Sequence, residues 1–299
     1  MLHKRTFILT TLLAMMVLVL SGCQAQATKA QKPIRVVSSL DFYGDAASQV
    51  AGKYGQVTSI IHSSSVDPHD FEPTTKNAKA VSKANIVIQN GNGYDDWLGK
   101  LVKANDQKII DFKVSEDLLK FPTGSNEHVW YNPTTMPKLA NELANQFSKL
   151  DSSHTKYYRQ NAAKYIQSLA PLQKLIKTVK QNVDQNNKLV DVSEPVFSIA
   201  LAHLGYQVNN PHFAKAIEDG NDPSPADIAK MQADIRQRKI AFLVVNTQES
   251  DSIVDNMAKL ARKHNVPILK VTESLPAGLN YKQWMMNQYE QLRKIQQGM

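Results

Sequence analysis

From Asp151 to about Gln185 the apolar residues Tyr157, Tyr158, Ala162, Tyr165, Ile166, Leu169, Leu172, Leu175, Ile176 and Val179 recur every three to four positions. That period draws one continuous apolar stripe along a helix. A helix of about 30 residues is about 45 Å long, enough to run along two lobes. It divides the chain into two stretches, each of which must build its own sheet. Ser152 or Ser153 is placed to cap its start. Pro171 lies inside the stripe and predicts a kink or an interruption, because proline removes one N–H and clashes with the preceding turn.

On either side of this helix, strand patterns alternate with helical ones. Before it come strands at Ile34–Ser39, Gln56–Ile61, Ile86–Asn90 and Lys108–Asp111, with helices at Asp41–Ala51 and Thr75–Lys83. After it come strands at Lys188–Val192, Tyr206–Val208, Ile240–Asn246 and Ile268–Val271. Helices at Pro195–Leu204, Ser224–Gln237, Ile253–Lys263 and Tyr281–Ile295 lie among and after these strands, the first stopped by Gly205 and the second carrying Pro225 in its first turn. Alternation of this kind predicts an α/β fold: two lobes with parallel-type sheets joined by one long helix. The expected divisions are a leader at 1–22, a flexible tether at 23–32, an N-terminal lobe at 33–150, the linking helix at 151–185 and a C-terminal lobe at 186–299.

The first residues bound the compartment. His3, Lys4 and Arg5 precede an apolar run from Phe7 to Leu20. A run of about 14 residues is too short to cross a bilayer comfortably and has the length of a signal-peptide apolar region. It ends in Leu20-Ser21-Gly22-Cys23, small residues before a thiol, the pattern at which a bacterial lipoprotein is cleaved and acylated. Cys23 is the chain's only cysteine, so an intrachain disulfide is excluded and the exported part is held by its core alone. Two acyl chains, at roughly 0.8 kcal/mol per buried CH₂, would fix the protein to the outer face of the cytoplasmic membrane. The net charge of +8 is scattered and not interleaved with aromatic residues, which suits a solvated surface near anionic lipid and not nucleic acid.

Four segments at or just beyond strand ends offer metal-binding side chains: Val66–Pro73 with His69, Glu127–Pro133 with His128, Val192–Pro195 with Glu194, and Val271–Pro276 with Glu273. In open parallel α/β sheets the carboxyl ends of the strands line the ligand crevice. Two segments belong to each lobe, so a cleft between lobes can collect all four. Asp67-Pro68 and Asn132-Pro133 stiffen the backbone beside each histidine, and Trp130 and Tyr131 supply a dry wall, the preorganisation a ligand set requires. His62, His154, His203, His212 and His264 read as loop, packed or solvent-facing residues.

The stretches Asp67–Thr74, Asn90–Trp97, His128–Pro133 and Thr272–Pro276 resemble, in order and spacing, the cluster A-I substrate-binding lipoproteins of zinc and manganese ABC importers. The resemblance runs from about Ile34 to the C-terminus and takes in the lipidation box and the long helix. It implies a single divalent transition-metal ion, Mn²⁺ or Zn²⁺, carried between two α/β lobes as the transported ligand. Matched motif by motif, His69, His128, Glu194 and Glu273 are its ligands. It implies two partners, a membrane permease of the ABC importer and the lipid bilayer, with the chain itself a monomer. This sequence departs from the family pattern in three places. The third position is often His and here is Glu194; the fourth is often Asp and here is Glu273. Between Lys113 and Glu127 there is no histidine, where zinc-specific members carry a His-rich loop. Asn132 also stands where Asp is common, and is expected to cap the helix that follows. A His₂Glu₂ set is harder than His₃Asp and puts manganese slightly ahead, although zinc outcompetes manganese at most such sites.

Competing functions leave weaker marks. An exported metal-dependent hydrolase would keep one metal position open for water, and the chain has no His-Glu-x-x-His, Gly-x-Ser-x-Gly or phosphate-loop motif. Four protein ligands close a site, which suits carriage and not catalysis. A surface adhesin would need no motif at all. A sugar- or phosphate-binding importer subunit would want stacked tryptophans or helix N-termini in the cleft, and Trp97, Trp130 and Trp284 are dispersed.

Overall fold

Two four-stranded sheets carry the chain, and they share one topology. The first contains β1 (Ile34–Leu40), β2 (Gly55–Ile61), β3 (Ile86–Gln89) and β4 (Ile110–Lys113). Its order is β2-β1-β3-β4, with every pair parallel. The second contains β5 (Leu189–Val192), β6 (Gln207–Val208), β7 (Leu243–Asn246) and β8 (Ile268–Val271), in the order β6-β5-β7-β8 and again parallel throughout. This computed structural model describes residues 32–66, 68–69, 71–105, 107–248 and 251–298. The leader at 1–22, Cys23 and the tether up to residue 31 lie outside the described residues. Parallel strands are covered on both faces, and their sequences are accordingly apolar: Val36, Val37, Ile86, Val87 and Ile88 are all buried. In each sheet the order reverses between two central strands, β1 and β3 in one, β5 and β7 in the other. That reversal opens a crevice at the strands' carboxyl ends.

In the first lobe the helices are α1 (Asp41–Ala51), α2 (Thr75–Val81), α3 (Asp96–Lys103) and α4 (Thr135–Leu150). The linking run is α5 (Thr155–Ser168) followed at once by α6 (Ala170–Gln181). The interruption falls at Leu169, with φ −84° and ψ −5°, and Pro171 occupies the first turn of α6, where its missing N–H costs nothing. Neither Ser152 nor Ser153 caps the run. Residues Ser152–His154 form a 3₁₀ turn, and Ser153 Oγ donates instead to Asp151 Oδ1 at 2.5 Å. Asp151 also accepts from Tyr158 Oη and faces His154 Nδ1, each at 2.6 Å. Burial pushes its carboxyl up, but these hydrogen bonds outweigh burial and hold it at about 2. His154 stacks on Tyr54 at 3.6 Å, so it is part of this corner and not a solvent-facing residue.

The second lobe adds α7 (Ser198–Leu204), α8 (Pro211–Glu218), α9 (Pro225–Arg236), α10 (Ser252–Lys263) and α11 (Tyr281–Gln296). Ser224 caps α9 by accepting from the Asp227 N–H, and Asn280 caps α11 in a reciprocal box with Gln283. Helix α11 returns along α6, where Gln296 Nε2 donates to the Val179 carbonyl at 2.9 Å.

One hydrophobic core runs through both lobes. Its aromatic members meet where the lobes join: Phe42 lies 5.5 Å from Trp130, Tyr131 5.0 Å from Phe197 and 5.9 Å from Trp284. Tyr281 Oη donates to the Trp130 carbonyl at 2.7 Å across the same junction. Large rings fix geometry while burying much area, so the floor of the crevice is rigid. A second, smaller core around Phe213, Met231, Ile235, Val254 and Met257 backs the second sheet. Among the described residues no helix is long and apolar enough to cross a membrane.

Candidate metal centre

The loops that leave the carboxyl ends of β2, β4, β5 and β8 carry His69, His128, Glu194 and Glu273, and all four side chains line one cavity of about 720 Å³. Each loop is fixed by its own sequence. Trp97 Nε1 donates to the Pro68 carbonyl at 3.2 Å and its indole packs on Phe71 at 4.6 Å, which positions His69. Val129–Tyr131 forms a 3₁₀ turn whose three side chains are buried, so the backbone after His128 has no freedom to swing. Asn132 does not cap α4 by itself. It stands three residues before Thr135 and accepts from the Thr134 N–H at 3.0 Å in an Asx turn that leads into the helix.

Glu273 is the meeting point of the two imidazoles. Its Oε1 lies 3.7 Å from His128 Nε2 and 4.0 Å from His69 Nε2, and accepts from Tyr94 Oη at 2.9 Å. Glu194 faces the same cavity from the other sheet end, and its Oε2 accepts from Asn246 Nδ2 at 2.8 Å. His128 is 1% exposed whereas His69 is 38% exposed, so one imidazole is built into the wall and the other reaches in from a loop.

The tautomer of His128 follows from its neighbour. Asn126 Nδ2 donates to the Pro195 carbonyl at 2.8 Å, which turns its Oδ1 toward the histidine. That oxygen accepts from the His128 N–H at 2.9 Å and lies 3.1 Å from Nδ1. An amide oxygen only accepts, so Nδ1 carries the proton and Nε2 presents its lone pair to the cavity. Burial opposes charge on this ring, but the adjacent Glu273 carboxylate and the charges of Glu127 and Glu218 raise its pKa above the ordinary value. Burial likewise pushes Glu273 up, and His128, Tyr94 and His69 more than reverse it, so its carboxyl ends below the usual range. A divalent cation at this point would compete with protons for the His128 Nε2 lone pair and the Glu273 carboxylate.

Several residues that sequence reasoning did not single out complete the arrangement. Gln248 fastens two loops from different lobes: its Nε2 donates to the Ser64 carbonyl at 2.9 Å, and its Oε1 accepts from the Glu273 and Ser274 N–H groups at 2.6 and 2.7 Å. Tyr94 stands edge-on to His69 at 4.8 Å at the end of a tight turn. In that turn Gly91 has φ +86°, and a Cβ there would collide with the Glu116 carboxylate. Glu127 and Glu218 also line the cavity, and each offers an oxygen near His128. Tyr94 and Glu127 lay inside segments already marked by their motifs; Asn246, Gln248 and Glu218 carried no local signal. Of the other histidines, His62, His203 and His212 are exposed.

Comparison with known proteins bears on this geometry. Residues 36–295 match the family described as "Zinc-uptake complex component A periplasmic". The chain is 28% identical over 269 residues to the manganese ABC transporter substrate-binding lipoprotein PsaA of Streptococcus mitis, covering 84% of each chain. It is 22% identical over 247 residues to the manganese-binding lipoprotein MntA of Halalkalibacterium halodurans, covering 81% of each. Among solved structures, the periplasmic zinc-binding protein TroA of Treponema pallidum superposes with a TM-score of 0.72 at 16% identity, covering 89% of this chain and 99% of that one.

Proposed function

The chain belongs to the family of periplasmic zinc-uptake components, and from that premise we propose that it captures one divalent transition-metal ion, manganese or zinc, and delivers it to the permease of an ABC importer. It is a solute-binding transport component and not an enzyme, which sets aside the hydrolase alternative. The observation that carries the reading is the convergence of His69, His128 and Glu273 from loops of different lobes onto one cavity that Glu194 also lines. We assign the cargo to these four side chains. Two imidazoles and two carboxylates form a closed, mixed set that suits manganese better than an imidazole-rich set would, while zinc remains the stronger competitor at equal concentration. Manganese leads as the physiological cargo. Elemental analysis of the chain purified from its host without chelator, combined with native mass measurement, should find one such ion per monomeric chain. Protein free of manganese, zinc and iron would overturn the reading.

The chain acts at the outer face of the cytoplasmic membrane, held by acyl groups on Cys23 after removal of residues 1–22, with residues 23–32 as its tether. The unique cysteine after Leu20-Ser21-Gly22 supports this. Cys23→Ala should move the protein out of the detergent phase on temperature-induced phase separation, or leave uncleaved precursor. Processing and partitioning identical to the native chain would remove Cys23 from this role.

A further inference from the structure

The cavity holds more carboxylate than one cargo ion uses. Glu127, Glu194, Glu218 and Glu273 all line it, and the cargo set takes only Glu194 and Glu273. Glu127 and Glu218 each present an oxygen within 4.8 Å of the other, beside His128, a separation that two oxygens around a single divalent ion reach, about twice 2.3–2.6 Å. Glu218 is placed where its charge is least welcome. Its side chain is 10% exposed, and it ends α8, where the helix dipole is itself negative. Its Oε2 pairs with Lys215 at 3.0 Å, but Lys215 is 62% exposed and also pairs with Asp219 at 2.6 Å. The other oxygen, Oε1, is buried, accepts no hydrogen bond among the described residues, and stands 3.9 Å from His128 Nδ1. A buried carboxylate oxygen without a donor, facing a second carboxylate, is an arrangement that a cation resolves.

We propose that Glu127 and Glu218 form an outer subsite for a hard divalent cation such as Mn²⁺, adjoining the cargo site; the proposal rests on the reading of His69, His128, Glu194 and Glu273 as that site. Because His128 Nδ1 keeps its proton for Asn126 Oδ1, the imidazole is the wall between the two positions and not a shared ligand. The outer position is therefore built from oxygen alone, which favours hard cations. Glu127 is the link: its Oε1 lies 3.7 Å from His69 Nε2, so an ion held by Glu127 is already beside an inner ligand. Four carboxylates balance two divalent ions, and with the outer ion in place Lys215 is left to Asp219.

The full chain in detergent micelles, titrated calorimetrically with Mn²⁺ alone, tests this. The native chain should show a tight event and a weaker second one. Glu218→Gln, nearly isosteric, should weaken the second event about tenfold or more while leaving the tight event in place, and Lys215→Ala, which frees Glu218 Oε2, should strengthen it. His69→Ala should weaken the tight event and keep the second. Should Glu218→Gln fold poorly, Glu127→Gln gives the same reading of the second event. A single event, or a second event indifferent to Glu218→Gln and Lys215→Ala, overturns the outer subsite and leaves the cargo site standing. Absence of any event in the native chain overturns the cargo reading itself.

Discussion

Replacing His128 with alanine is expected to weaken divalent-metal binding by more than about a hundredfold, beyond the 10–100-fold that loss of a supporting partner typically costs. The imidazole is 1% exposed, so little water stands ready to take its place, and its Nε2 is oriented by the Asn126 contact at Nδ1. Removing it takes away a proposed, preorganised ligand and also a group that lowers the proton affinity of Glu273. His69→Ala should cost less, because His69 is 38% exposed and solvent can fill its coordination position. Competition against a chelating dye gives the affinity, and far-UV circular dichroism checks that the void beside Trp130 has not cost the fold. Metal affinity should also fall as pH is lowered, since neighbouring carboxylates raise the proton affinity of this ring and the proton competes with the ion. An unchanged affinity in well-folded His128→Ala would take this residue out of the site.

The two-sheet plan was readable because parallel strands announce themselves. Ile268–Val271 and Ile86–Gln89 are short β-branched runs between helical patterns, and their strand ends sit within a residue of expectation. Strand β4 was displaced by two residues, to Ile110–Lys113, because its register is set by pairing with β3 and not by its own sequence. Helices α3 and α8 were not visible, and α4 was expected only as an unbounded helix following Asn132. Helix α8 is eight residues long and opens on Pro211, and three of the seven buried residues of α4, Thr135, Ala140 and Ala144, are small or polar. At the site, motif and strand-end position singled out the four proposed ligands. What held them did not show, because those contacts span the chain: Tyr94 and Glu273 are 179 residues apart, and Gln248 and Ser64 are 184. A linear pattern carries no record of such partners. Glu218 was hidden for a related reason, since its place in the cavity depends on a helix that periodicity did not reveal.

Chelation should lower the melting temperature by about 10 °C. A ligand that binds only the native state adds RT ln(1 + [L]/Kd), about 4 kcal/mol at a thousandfold excess over Kd. For a chain in this size range each kcal/mol moves the midpoint by about 2–4 °C. Two features argue that the effect is global and not confined to the loops. The proposed ligands come from both lobes, so one ion held by them would tie His69 and His128 of the first lobe to Glu194 and Glu273 of the second. The lobes also share one hydrophobic core through Phe42, Trp130, Phe197 and Trp284, so they are expected to unfold together and a bond between them counts toward a single transition. Removing the metal would also take two positive charges from a cavity lined by Glu127, Glu194, Glu218 and Glu273. Differential scanning calorimetry of metal-free and manganese-loaded protein at one pH makes the comparison. A loaded sample that melts at the temperature of the metal-free one, with occupancy verified in both, would mean that the ion does not bridge the lobes.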